Sequence, residues 1–318
     1  MNNTQTGLED QNMNNMQKKS EAQHINEGNK RFQVWKSHPL VAYFVLAYAI
    51  TWLFLGLVAL HSHGLLALPS GLIFPLTLVG SIGLLLAALL LTVTTTGKRG
   101  MRAFFRQLLI WRVNPWWYLV VLFEPALVTL IVLAVTSLLG GPSFNFAHPP
   151  VVQRPPLPLP SGISPYLLIV PLFLLGGLLG GPLGEELGWR GYALAKLQSR
   201  YSALGASLIL GVLWAVWHLP FFFMPGTTQS TTPFLLFAFG TLANSILFTW
   251  VYNHTRGSVL LTFLFHNALN ITALYLPLSL WNDWQGVVAQ CLVALVVVII
   301  AGPARLSRRL SSRQTSSW

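Results

Sequence analysis

The chain has 318 residues, of which 53% are hydrophobic and 8% charged, and its 19 Lys and Arg outweigh 8 Asp and Glu to give a formal net charge of +11. A soluble globular domain carries roughly 25% charged residues, so a soluble fold is excluded and an all-α, polytopic membrane protein is expected. One cysteine, Cys291, rules out an intramolecular disulfide and any multi-cysteine metal cluster.

Residues 1–36 are polar and rich in Asn, Gln, Lys and Glu, which reads as a disordered cytoplasmic tail with no cleaved signal peptide. Residues 37–302 form the expected transmembrane domain, and 303–318 a basic, Ser-rich cytoplasmic tail. A bilayer crossing needs about 20 apolar residues. Eight such runs lie at about 39–60, 71–95, 117–139, 165–181, 202–224, 233–252, 258–275 and 285–301. His61 and His63 end the first run without a third ligand nearby, and read as loop histidines.

Between the second and third runs, Lys98, Arg99, Arg102, Arg106 and Arg112 alternate with Phe104, Phe105, Leu108, Leu109 and Trp111. That pattern predicts an amphipathic helix in the headgroup plane, closed by the interfacial Trp116, Trp117 and Tyr118. Glu124, in the third run, has no motif around it, and a structural or interfacial role is favoured. Residues 140–164 are Pro-rich and predict an extended external loop with polyproline II character.

Eighteen of the 19 Lys and Arg fall on one side of this arrangement, before the first run and after the second, fourth, sixth and eighth, leaving Arg154 alone opposite. The positive-inside rule makes that side the cytoplasm, with both termini there, and the plasma membrane is the expected location. The basic residues are not gathered with stacking aromatics in a polar module, which argues against nucleic acid as a partner.

The densest chemistry follows the fourth run, in GEELGWRGYALAKLQSR, residues 184–200. A carboxylate at membrane depth is costly and marks a functional site by default. Glu186 and Arg190 are four apart and share a helix face, where they can pair. Glu185 points about 100° away, toward a cavity. Gly176, Gly180, Gly184 and Gly188 recur every four residues, a spacing that admits close helix approach, and Pro182 is expected to break or kink the helix. Two other apolar runs carry GVLWAVWHLPFF with His218, and SVLLTFLFHNALN with His266 and Asn270 one turn apart on one face. Buried without a shared partner network these groups would be prohibitively unfavourable in lipid. They are therefore expected to meet around one polar, water-accessible intramembrane cavity.

GEELGWRGYAL, WAVWHLP and FHNALN together resemble the three motifs of the CAAX prenyl protease / bacteriocin-processing (abortive-infection) family of intramembrane endopeptidases, over about residues 165–275. The family pattern is EExxxR, FxxxH and HxxxN or HxxxB. Glu185, Glu186 and Arg190 match the first motif, and His266 and Asn270 the third. In the second, His218 matches and Trp214 stands where the family usually has Phe, which could alter the cavity wall.

The resemblance implies hydrolysis of a peptide bond in a membrane-embedded or prenylated peptide or protein substrate. Glu185 would act as base with His218 helping to hold the water, His266 and Asn270 would serve the oxyanion, and Glu186 with Arg190 would orient the helix. No cofactor is favoured. Zinc held by Glu185, His218 and His266 is the competing arrangement, set against the absence of an HExxH signature and the poor ligand quality of Asn. A midplane Glu/His secondary transporter, or a non-catalytic scaffold binding a partner through the same cavity, remains as a reading from another class.

Overall fold

The computed structural model describes residues 38–141, 144–152, 163–179 and 181–307. The polar tail 1–36, most of the Pro-rich segment and residues 308–318 lie outside the described residues. The chain divides into two compact units, residues 1–45 and 46–318. In the first, Pro39–Val45 forms the opening turns of a helix, and the second holds the candidate site described below.

Among the described residues the fold is helical, with no strands. The helices are α1 (Pro39–Ser62), α2 (Ser70–Ser81), α3 (Gly83–Arg106), α4 (Trp116–Leu138), α5 (Ile169–Leu179), α6 (Pro182–Glu186), α7 (Ala195–Gln198), α8 (Ala203–Trp217), α9 (Leu219–Phe222), α10 (Phe234–His254), α11 (Val259–Tyr275) and α12 (Trp284–Ala301). A π-helical stretch, Leu187–Leu194, joins α6 to α7.

Helices α1, α4, α10 and α12 are each long and apolar enough to cross a bilayer, and two bent pairs, Ser70–Ser81 with Gly83–Leu109 and Pro165–Leu179 with Pro182–Gln198, bring the number to six. The remaining two expected spans are shorter than anticipated, α8 with 15 residues and α11 with 17. The cause in α8 is local. His218 closes it, and Pro220, which has no N–H to give, sits in the first turn of the short α9, begun by Leu219. Apolar side chains such as Leu295 and Ile299 of α12 and Leu174 of α5 lie exposed, as lipid contact requires. This is an integral membrane protein.

Three local devices position the site. Ser202 caps α8 by accepting from Gly205 N at 3.1 Å, and Ser258 caps α11 by accepting from Leu261 N at 3.2 Å. Between α5 and α6, Gly181 takes φ 105°, a conformation costly for any residue with a Cβ, and Pro182 restarts the helix at its first position. The kink expected at Pro182 is therefore a true break, and it turns Glu185 and Glu186 into the protein.

The glycine register needs correction. A Cβ at Gly176 would meet nothing within 4 Å, and one at Gly184 would make ordinary contact with Ile82. The close approach occurs one residue along, at Gly177, where a Cβ would stand 2.6 Å from Asn267 Nδ2 and 2.8 Å from the Phe263 ring. The break after α5 puts Gly176 and Gly184 in different helices, so these two do not form one continuous seam; Gly180 lies outside the described residues.

Beyond the second span, Gly97 adopts φ 62°, ψ −153° and kinks α3. From there the helix exposes Lys98, Arg99, Arg102 and Arg106 and ends at Arg106; of the expected apolar face it buries Phe104, while Phe105, Leu109 and Trp111 are exposed. Of the two expected loop histidines, His61 falls instead in the last turn of α1, its Nδ1 3.0 Å from the Leu66 carbonyl, while His63 lies beyond the helix with Nε2 bonded to the Phe223 carbonyl at 2.8 Å. Both oxygens of the Glu124 carboxylate are buried without a hydrogen-bond partner, and Gln290 of α12 donates to Asn244 Oδ1 of α10 at 3.0 Å, tying those two helices.

Candidate active site

Glu186 is fully buried, and its Oε1 accepts from Arg190 Nη1 at 2.9 Å and from His266 Nδ1 at 3.0 Å. The expected ion pair is present, and it includes a third member the spacing did not reveal. Arg190 is fully buried too, so it is not one of the cytoplasmic cations with which it was grouped. Its guanidinium lies 4.6 Å from the Trp214 ring centroid and 4.2 Å from that of Phe248. These aromatic faces take the place of the partners that its Nε and Nη2 lack. Glu186 Oε2 is buried with no hydrogen-bond partner.

Glu185 diverges from Glu186 as helical geometry requires. Its Oε2 accepts from Trp214 Nε1 at 2.7 Å, and its side chain reaches a cavity of about 580 Å³. His218, His266 and Asn270 line the same cavity. The three motifs thus converge, from α6, the end of α8 and α11.

The hydrogen bonds fix the ring tautomers. A carbonyl can only accept, so His218 Nδ1, 2.9 Å from the Trp214 carbonyl, carries the proton and the neutral ring keeps its lone pair on Nε2. The same logic at Glu186 places a proton on His266 Nδ1. Around these rings stands an aromatic shell. Trp214 packs edge-on to His266 at 5.4 Å and to Trp281 at 5.2 Å, and Trp217 edge-on to His218 at 4.8 Å. Trp217 Nε1 in turn donates to Thr51 Oγ1 at 2.9 Å, anchoring α8 to α1.

Glu185, His218 and His266 share the cavity, yet among the described residues no three His, Cys, Asp or Glu side chains are placed to hold a metal ion. Glu185 Oε2 and the Nδ1 atoms of both histidines are bonded to Trp214 and Glu186, which leaves Glu185 Oε1 and the two Nε2 atoms as the donors a metal would take.

Sequence reasoning missed three contributors. Asn267, beside His266, is buried and its Nδ2 donates to the Phe173 carbonyl, tying α11 to α5. Trp281 and Asp283, from the connection between α11 and α12, line the cavity. Trp214 was marked only as an aromatic variant, whereas its indole N–H bonds to Glu185, which no Phe could do.

An all-helical membrane protein whose buried Glu, His and Asn side chains converge on one cavity defines a class: polytopic proteins with an intramembrane polar site. Within that class, residues 166–272 match the family model described as Type II CAAX prenyl endopeptidase Rce1-like, a segment holding all three motifs. CAAX prenyl protease 2 of Methanococcus maripaludis is 39% identical over 108 residues, 32% of this chain and 39% of the relative. The match thus spans about two-fifths of that relative's length. The resemblance to the CAAX prenyl protease / bacteriocin-processing family stands over this segment.

Proposed function

We propose that the chain is an intramembrane endopeptidase that hydrolyses a peptide bond of a membrane-associated polypeptide with a water activated by Glu185. One observation carries the reading: Glu185, His218, His266 and Asn270 line a single cavity inside the helical domain. The similarity of residues 166–272 to prenyl endopeptidases supports it.

Glu185 takes a proton from the attacking water, and His218 Nε2, with its Nδ1 tied to the Trp214 carbonyl, orients that water as acceptor. The developing oxyanion is met by the Asn270 amide and by His266. Because His266 Nδ1–H is spent on Glu186, donation through Nε2 requires the doubly protonated ring. The Glu186 carboxylate, shared with Arg190, balances that charge. The proton held by Glu185 then passes to the leaving amine. No metal is needed for any step. Both termini are placed in the cytoplasm, in keeping with the charge asymmetry.

The test is reconstitution. Purified protein in proteoliposomes cleaves membrane-delivered peptides without accompanying solute flux, and flux without cleavage supports the transporter reading instead.

A further inference from the structure

From the carboxylate and histidines, the cavity wall runs to Gly226–Gln229, between α9 and α10, to Leu276–Asp283, between α11 and α12, and to Pro150. Those connections lie where α8 and α11 end and where α10 and α12 begin. The opposite ends of the same four helices are followed or preceded by Arg200, Arg256 and Arg305. The cavity therefore reaches the end of the helix array that is poor in cations. None of the described connections at that end, residues 63–69, 139–141, 144–152, 218–233 and 276–283, contains a Lys or Arg. Even with Arg190 set aside as buried, the positive-inside asymmetry is untouched, and it makes this face non-cytoplasmic.

The charge of the wall adds a second observation. Its carboxyl groups are Glu185 and Asp283, and it holds no Lys or Arg. Both lining histidines have Nδ1 committed to partners. A CAAX sequence is a chain terminus, with its free carboxylate about three residues beyond the modified cysteine. Such a carboxylate would find no guanidinium or ammonium in the lining, and the donors of His266 and Asn270 are engaged at the scissile carbonyl, so it would lie there without a partner of its own, which is unfavourable.

We infer that the cavity is entered from the non-cytoplasmic face and that its substrate is an internal segment of a polypeptide presented there, rather than a cytoplasmic chain terminus. The inference rests on the endopeptidase reading for its chemistry, and on the cavity walls and charge distribution for its direction.

Two measurements test it. In full-length protein carrying Cys291→Ser, Thr228→Cys sits in an exposed loop at the cavity end and Ser199→Cys in an exposed position at the other. An impermeant maleimide added to intact cells should label Thr228→Cys and should reach Ser199→Cys only after permeabilisation. Labelling of Thr228→Cys only after permeabilisation overturns the direction of entry. Profiling of new protein termini in membranes from cells expressing wild type or Glu185→Gln then reads the substrate. New termini dependent on the wild type should lie in non-cytoplasmic segments, away from the last few residues of their chains. Termini confined to cytoplasmic segments, or to about three residues from chain ends, overturn the substrate class. A complete absence of such termini removes the endopeptidase reading and its substrate, while the labelling result still decides the face of entry.

Discussion

Trp214 Nε1 donates to Glu185 Oε2 at 2.7 Å, so the carboxylate proposed to activate water is held by an indole from a neighbouring helix. The same residue's carbonyl accepts from His218 Nδ1 at 2.9 Å. One tryptophan thereby sets the rotamer of the base and the tautomer of its histidine companion. A hydrogen bond to a charged group is worth about 1.5–3 kcal/mol. Trp214→Phe, which restores the residue usual in the resembled family, should lower kcat roughly 10- to 100-fold with KM nearly unchanged. Unaltered kcat in the purified variant contradicts a positioning role for the indole.

The Glu186–Arg190–His266 cluster is fully desolvated on the Glu and Arg side. Removing one member of a buried pair strands the other charge, at a cost of about 3–5 kcal/mol. Arg190→Met should therefore lower the apparent unfolding midpoint in detergent substantially. Arg190→Lys should recover little, since an ammonium cannot spread over the Trp214 and Phe248 faces as a guanidinium does. An unchanged midpoint in Arg190→Met contradicts a structural function for the cluster.

His266→Ala and Asn270→Ala remove donors that act chiefly as charge develops. Each should reduce kcat by about 10²–10³-fold with little effect on KM. The zinc arrangement predicts something different: stoichiometric metal in active wild type, lost from His266→Ala, and inactivation by chelators. Metal analysis of the two proteins distinguishes the cases.

Gly177 and Gly176 make a matched pair. Gly177→Ala puts a methyl group 2.6 Å from Asn267 Nδ2 and should destabilise by about 1–3 kcal/mol. Gly176→Ala meets nothing within 4 Å and should leave the unfolding midpoint in place. Equal effects of the two changes contradict the α5–α11 crossing described.

Much of this arrangement was legible in the residues because the membrane makes polar groups conspicuous. Glu186 and Arg190 could be paired from a spacing of four, and Glu185 separated from them by helical geometry alone. His218, His266 and Asn270 stood out as polar groups in apolar runs. What spacing could not show were contacts between helices distant in the chain. Nothing in the order of residues ties Trp214 Nε1 to Glu185, or places His266 against Glu186 across 80 positions. The break at Pro182 was legible but its consequence was not, and Pro220 passed as part of one continuous apolar run, 202–224. The close helix approach falls at Gly177, off the glycine register, and the stop at His218 leaves α8 with 15 residues.

The central claim is that Glu185 activates the water that cleaves the peptide bond. Its most direct test is the initial rate of peptide-bond cleavage by Glu185→Gln and wild type, side by side in proteoliposomes, on one membrane-delivered peptide library read by mass spectrometry. The substitution keeps the shape of the side chain and can still accept from Trp214, so the fold should hold. Loss of the general base should then reduce the rate by about 10²–10⁴-fold, with the unfolding midpoint preserved. Cleavage by folded Glu185→Gln at a rate near that of wild type contradicts the account.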